Sequence, residues 1–104
     1  MAAIHFTKDT FSQQVLNAKG TVLVDFWGTY CGPCQVQGPI IDELAEEMKD
    51  KDIVIGKVNV EEERGLALEL RVMSIPTLIV VQDGKEIRRA VGLRSKEELI
   101  ELLQ

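Results

Sequence analysis

Cys31 and Cys34 are the two cysteines of the chain, and they stand in the run Trp27-Gly28-Thr29-Tyr30-Cys31-Gly32-Pro33-Cys34. An apolar stretch precedes this run and a stretch with helical periodicity follows it, which places a dithiol at the mouth of a helix. The free N–H groups and partial positive charge of a helix N-terminus favour a thiolate, the form that attacks disulfides, so Cys31 is the predicted nucleophile. Cys34, one turn further in, can reach back to the same sulfur and is the predicted resolving thiol. Gly32 lets the backbone turn tightly, and Pro33 sits where a missing N–H costs nothing. Two other uses of such a pair fit less well. A disulfide across so short a loop restrains little unfolded-chain entropy, and a structural zinc needs four ligands where this chain offers two cysteines and the distant His5. A CxxC between a strand and a helix is the setting of a redox dithiol.

Two further residues could serve that chemistry. Thr21 to Trp27 reads T-V-L-V-D-F-W, apolar on both faces, as in a central strand covered by helices on each side. Asp25 interrupts it. Strand alternation puts Asp25 on the face of Leu23 and Trp27, so a carboxyl is pressed into a core close to the thiols. A carboxyl buried there has a raised pKa and can give or take the proton that thiol exchange must move, although a satisfied structural carboxylate is the plainer alternative. Lys57 lies on a second strand, Ile53 to Val60, on the face of Ile53 and Ile55, and is the candidate partner of Asp25.

The elements that must position these groups alternate along the chain. Ile4-His5-Phe6 is a short strand in which His5 is an ordinary strand residue, and Thr7 caps a helix whose Phe11 packs on Phe6 as a hydrophobic staple. Phe11 and Val15 share the core face, and Lys19-Gly20 ends this helix. After the dithiol, Val36, Ile40, Leu44 and Met48 recur at four-residue spacing with Ile41 and Ala45 alongside, and Asp42, Glu43, Glu46 and Glu47 are expected to face solvent. Gly38-Pro39 falls inside that helix and predicts a kink. Glu61 to Arg71 reads as a short helix with an acidic start. Leu78-Ile79-Val80-Val81 and Glu86 to Val91 form a hairpin through Asp83-Gly84, with Arg88 and Arg89 as protection of an edge strand. Ser95 and Glu98 form a capping box for a last helix bearing Leu99, Ile100, Leu102 and Leu103. The order β-α-β-α-β-α-β-β-α predicts an α/β fold with a mixed sheet between helical layers.

The 104 residues fit a single domain, 1–104, large enough to bury roughly two-thirds of its unfolded surface. With 17 acidic against 12 basic residues the net charge is −5, which argues against nucleic acid as a partner. No stretch approaches the length of a membrane span, so no membrane role is expected. The first residues have neither a basic region nor an apolar targeting core, so the expected location is cytoplasmic.

With W-G-T-Y-C-G-P-C at the end of a central strand, Asp25 within it, Lys57 on the next, Ser74-Ile75-Pro76-Thr77 before the hairpin and Gly92 after it, the chain resembles the thioredoxin family over its whole length. The Gly-Pro between the cysteines is similar to thioredoxins rather than to the Pro-Tyr of glutaredoxins or the Gly-His of disulfide isomerases. The resemblance implies a thioredoxin fold, a central mixed sheet of about five strands flanked on both faces by about four helices. It implies a general protein-disulfide reductase working as a monomer on disulfide-containing protein substrates. The dithiol would be restored by thioredoxin reductase from NADPH through that enzyme's FAD, with no cofactor or metal held by this chain. It further implies that Pro76 is cis beside the dithiol and that the Ile75 backbone pairs with substrate. Trp27, Tyr30, Gly32, Pro33 and Gly92 would form the surrounding groove. A partner-binding module without turnover, or a redox protein dedicated to one pathway, would use the same groove. The chain departs from the family at Tyr30, where a second tryptophan is usual, at Gln35, where a lysine or arginine is usual, and at Gly28-Thr29.

Overall fold

The structure, a computed structural model, describes residues 3–104. Strands β1 (Ile4–His5), β2 (Thr21–Trp27), β3 (Ile53–Asn59), β4 (Thr77–Gln82) and β5 (Lys85–Val91) form one sheet in the order β1-β3-β2-β4-β5. β1, β3 and β2 run parallel, and β4 and β5 are antiparallel additions. The expected mixed five-stranded sheet is thus what forms, with β2 at its centre.

Four α-helices lie among the described residues: α1 (Lys8–Phe11), continued by a π-helical turn over Ser12–Leu16, α2 (Gly32–Glu47), α3 (Arg64–Glu69) and α4 (Lys96–Leu102). The alternation of β2 sorts the core into two halves. Val22, Val24 and Phe26 pack with Phe11, Val15 and Leu66 under α1 and α3, whereas Leu23 packs with Ile41, Leu44 and Leu99 under α2 and α4. Asp25, two residues on from Leu23, belongs to the second half and has no exposed surface.

Local signals act as expected at several ends. Thr7 caps α1 through Thr10, and Phe6 meets Phe11 edge to face at a centroid distance of 6.2 Å. The Ser95–Glu98 capping box opens α4. Asp83 and Gly84 both take positive φ, 50° and 83°, as the tight turn of a hairpin with right-twisted strands requires.

Three expectations are corrected. Val36 is 53% exposed, and the buried side of α2 is Cys34, Gln37, Ile41 and Leu44. The acidic run Glu61–Glu63 does not enter α3, because the Asn59 carboxamide oxygen accepts the Glu61 and Glu62 N–H groups and holds them in a turn. Finally, the arginines of β5 do more than guard an edge. Arg89 pairs with Glu86 and donates to the Leu70 and Arg71 carbonyls after α3, while Arg88 donates to the Leu102 carbonyl at the end of α4.

Candidate active site

β2 and α2 meet at the dithiol. Cys31 is the N-cap of α2, in extended conformation, and Pro33 lies in the first turn of the helix. Its Sγ accepts the Cys34 backbone N–H at 3.2 Å, so the sulfur takes up a donor that every helix leaves free at its start. Cys31 and Cys34 are joined in a disulfide, with Cα atoms 5.2 Å apart. Their environments differ sharply: Cys31 is partly open to solvent, whereas Cys34 is only 3% exposed. A helix-capping, accessible sulfur beside a covered one is the geometry of a redox pair in which one member meets substrate first.

The loop before β4 closes on the pair. The Ile75–Pro76 peptide is cis, and the Ile75 carbonyl oxygen lies 3.8 Å from Cys31 Sγ. Pro76 is buried and Ile75 half-buried. Gly92 takes φ 97°, a conformation that favours glycine, and its N–H bonds the Pro76 carbonyl at 2.8 Å. Of the expected groove residues, Tyr30 is 94% exposed, Gly32 and Pro33 are open, and Trp27 is half-buried with its indole N–H shielded and without a partner among the described residues. Gln35, where the family more often carries a cation, donates to the Thr29 carbonyl at 3.0 Å and ties the helix to the loop before the dithiol.

Behind the dithiol, a cleft of ≈ 280 Å³ runs between α2 and the β1–β3–β2 edge, with Asp25, Cys34 and Lys57 in its walls together with His5 and Asp42. Burial, opposed in part by the Lys57 charge, pushes the Asp25 carboxyl up to about 7. Neither Asp25 oxygen has a hydrogen-bond partner among the described residues. Lys57 stands opposite Asp25 in the β2–β3 register but does not bond it. Its ammonium instead sits 3.1 Å from Asp42 Oδ1 and 3.2 Å from Oδ2, so Lys57 partners Asp25 through charge and not through a bond, and the expected solvent-facing Asp42 is corrected. Partial burial works against ionisation of Asp42, yet the Ala3 N–H and Lys57 hold its carboxyl below the usual range. The spacing 34, 38, 42 along one helix face is the signal that could have found it.

Among the described residues no cluster of three or more His, Cys, Asp or Glu could hold a metal ion, and no helix is long and apolar enough to cross a membrane.

Comparison with known proteins agrees with this geometry. The thioredoxin family profile matches residues 2–104. A thioredoxin of Bacillus subtilis is 43% identical over 103 residues, covering 99% of this chain and 96% of its own. One from Buchnera aphidicola is 40% identical over 100 residues, 96% and 92% of the two chains, and one from Mycobacterium bovis is 39% identical over 99 residues, 95% and 84%.

Proposed function

The chain belongs to the thioredoxin family of protein-disulfide oxidoreductases, and on that footing we propose how its residues divide the work. Cys31 as thiolate attacks one sulfur of a substrate disulfide, forming a Cys31–substrate disulfide and releasing one substrate thiolate. Cys34 then loses its proton to Asp25 and attacks Cys31 Sγ, forming the Cys31–Cys34 disulfide and releasing the second thiolate. Two electrons pass to the substrate, and the two protons it takes up come from the dithiol and solvent. The observation that carries this assignment is the contrast at the mouth of α2: an accessible Cys31 sulfur that accepts a helix N–H, and a Cys34 sulfur covered and facing the Asp25 cleft.

The Ile75 backbone is placed to pair with an extended substrate segment, and Trp27, Tyr30, Gly32, Pro33, Pro76 and Gly92 form the wall it lies against. Lys57 contributes charge to the cleft. Residues 1–104 act as one domain and as a monomer in the cytoplasm. The oxidised pair is returned to the dithiol by thioredoxin reductase, whose FAD passes electrons from NADPH, and the chain itself holds no cofactor.

Cys34→Ser should accumulate a mixed disulfide with insulin through Cys31, while Cys31→Ser traps little, as read by intact mass. A covalent partner on Cys34 in the Cys31→Ser protein reverses the two roles. If the parent reduces insulin with neither dithiothreitol nor NADPH plus a thioredoxin reductase, a binding module without turnover becomes the better description.

A further inference from the structure

Two aspartates and one lysine share the cleft behind the dithiol, and only one of the aspartates holds the lysine. Lys57 reaches out from β3, directly beside Asp25 in the strand register, yet its Nζ lies within 3.1 and 3.2 Å of the two oxygens of Asp42 on α2. Asp42 is itself fixed from the other side, because its Oδ1 accepts the Ala3 N–H at 3.0 Å at the entrance to β1. Asp25, wholly buried, is left with neither oxygen bonded among the described residues. The titratable groups that face the cleft with it are His5 from β1, Lys57 from β3, and Cys34 and Asp42 from α2. β4, on its other flank, opposes it with Leu78 and brings no charge.

We propose that Asp42 is a positioning residue for the dithiol chemistry: it holds the Lys57 ammonium on the α2 side of the cleft and thereby keeps Asp25 able to carry a proton for Cys34. The inference rests on the reading of Asp25 as the proton partner of Cys34. Its physics is a competition for one cation. An ammonium close to a buried carboxyl favours the carboxylate, and a carboxylate that never takes up a proton cannot relieve Cys34 of one. Asp42 opposes that outcome twice, by engaging the ammonium with both oxygens and by adding a negative charge to the cleft. Loss of its charge removes the negative neighbour and frees Lys57 to turn towards Asp25, the remaining acid in the walls.

The test is a carboxyl-carbon NMR titration of Asp25 in the oxidised protein. Asp42→Asn should move the Asp25 midpoint down by about one pH unit, and Asp42→Glu should leave it near the parental value. In a Lys57→Met background, Asp42→Asn should move it by roughly half as much or less, because the cation that carries the effect is gone. The rise of the insulin-reduction rate with pH should shift down together with the midpoint. An Asp25 midpoint unmoved by Asp42→Asn, even with stability lowered by the lost Lys57 ion pair, overturns the proposal and leaves Asp42 as an anchor for β1. An equal shift with and without Lys57 overturns the route through the lysine. Parental rates in Asp25→Asn would instead overturn the proton role of Asp25, and the titration would still decide whether Asp42 controls that carboxyl.

Discussion

Asp25 and Gln37 are both wholly shielded from solvent on the face of the sheet that α2 covers, and the structure treats them in opposite ways. Gln37 projects from α2 onto the loop between β5 and α4, where its Nε2 donates to the Arg94 carbonyl at 3.0 Å and its Oε1 accepts the Arg94 N–H at 2.8 Å. One side chain thus satisfies both backbone groups of one loop residue and pins that loop to the helix. Asp25 satisfies nothing and is satisfied by nothing among the described residues. A buried polar group with all its partners is part of the framework, whereas a buried carboxyl without any is a standing cost that folding alone gives no reason to keep. Its place in the cleft that Cys34 also lines fits the proton role proposed for it.

The largest test of that contrast is Asp25→Asn in the oxidised protein. The folded pKa of Asp25, up to about 7, stands above its unfolded value of about 3.9. Between these values the folded state binds more protons than the unfolded state, so stability falls as pH rises and the full penalty is present above pH 7. Asparagine resembles the protonated carboxyl, so the variant should nearly match the parent at pH 4 and exceed it by about 4 kcal/mol at pH 8, measured by urea unfolding. A variant less stable at both values would make Asp25 a satisfied structural group like Gln37 and erase the distinction.

Gln37→Leu should go the other way, losing about 2 kcal/mol with no pH dependence between pH 5 and pH 8, because the Arg94 N–H and carbonyl lose their partners under cover. Unchanged urea midpoints would show that the loop re-pairs without it.

The smallest effect belongs to a third polar residue, Gln35, which lies on α2 in solvent. Gln35→Lys places a cation near Cys31, and solvent screens it, so the Cys31 thiolate absorbance should titrate about 0.3 pH unit lower at low salt and return towards the parental midpoint at high salt. A rise, or no shift at low salt, would remove residue 35 from the control of the thiol.

Much of this arrangement was legible because local chemistry and global fold agree. The β2 run, the CxxC at a helix mouth, the Asp83-Gly84 turn and the Ser95 box each signal one conformation, and each forms. The phase of α2 was not legible from its apolar residues. Val36, Ile40, Leu44 and Met48 repeat every four positions and drift about 40° per step on a helix of 3.6 residues per turn. The spacing 34, 37, 41, 44 holds one face, and it runs through a cysteine and a glutamine that hydrophobic patterning ignores. Asp42 was hidden for a related reason: an acidic residue in an acidic run reads as solvated until the lysine from β3 is seen to reach it. The arginines of β5 serve helix ends some 14 to 19 residues away in the chain, a pairing that needs the packing of the sheet edge to be known.

The central place of β2 also bears on how the chain emerges during synthesis. Its neighbours are β3 and β4, drawn from residues 53–59 and 77–82, so the strand that delivers the dithiol is made well before either strand that will hold it. The Ile75 carbonyl that lies over Cys31 follows it by 44 residues. A nascent chain therefore carries both thiols, three positions apart, before either strand that flanks β2 or the loop that closes over Cys31 has been made. Contacts of such sequence separation form late. The covering of Cys34 is consequently a property of the finished chain, and a chain cut short between residues 34 and 75 would carry the dithiol without the carbonyl that lies over it.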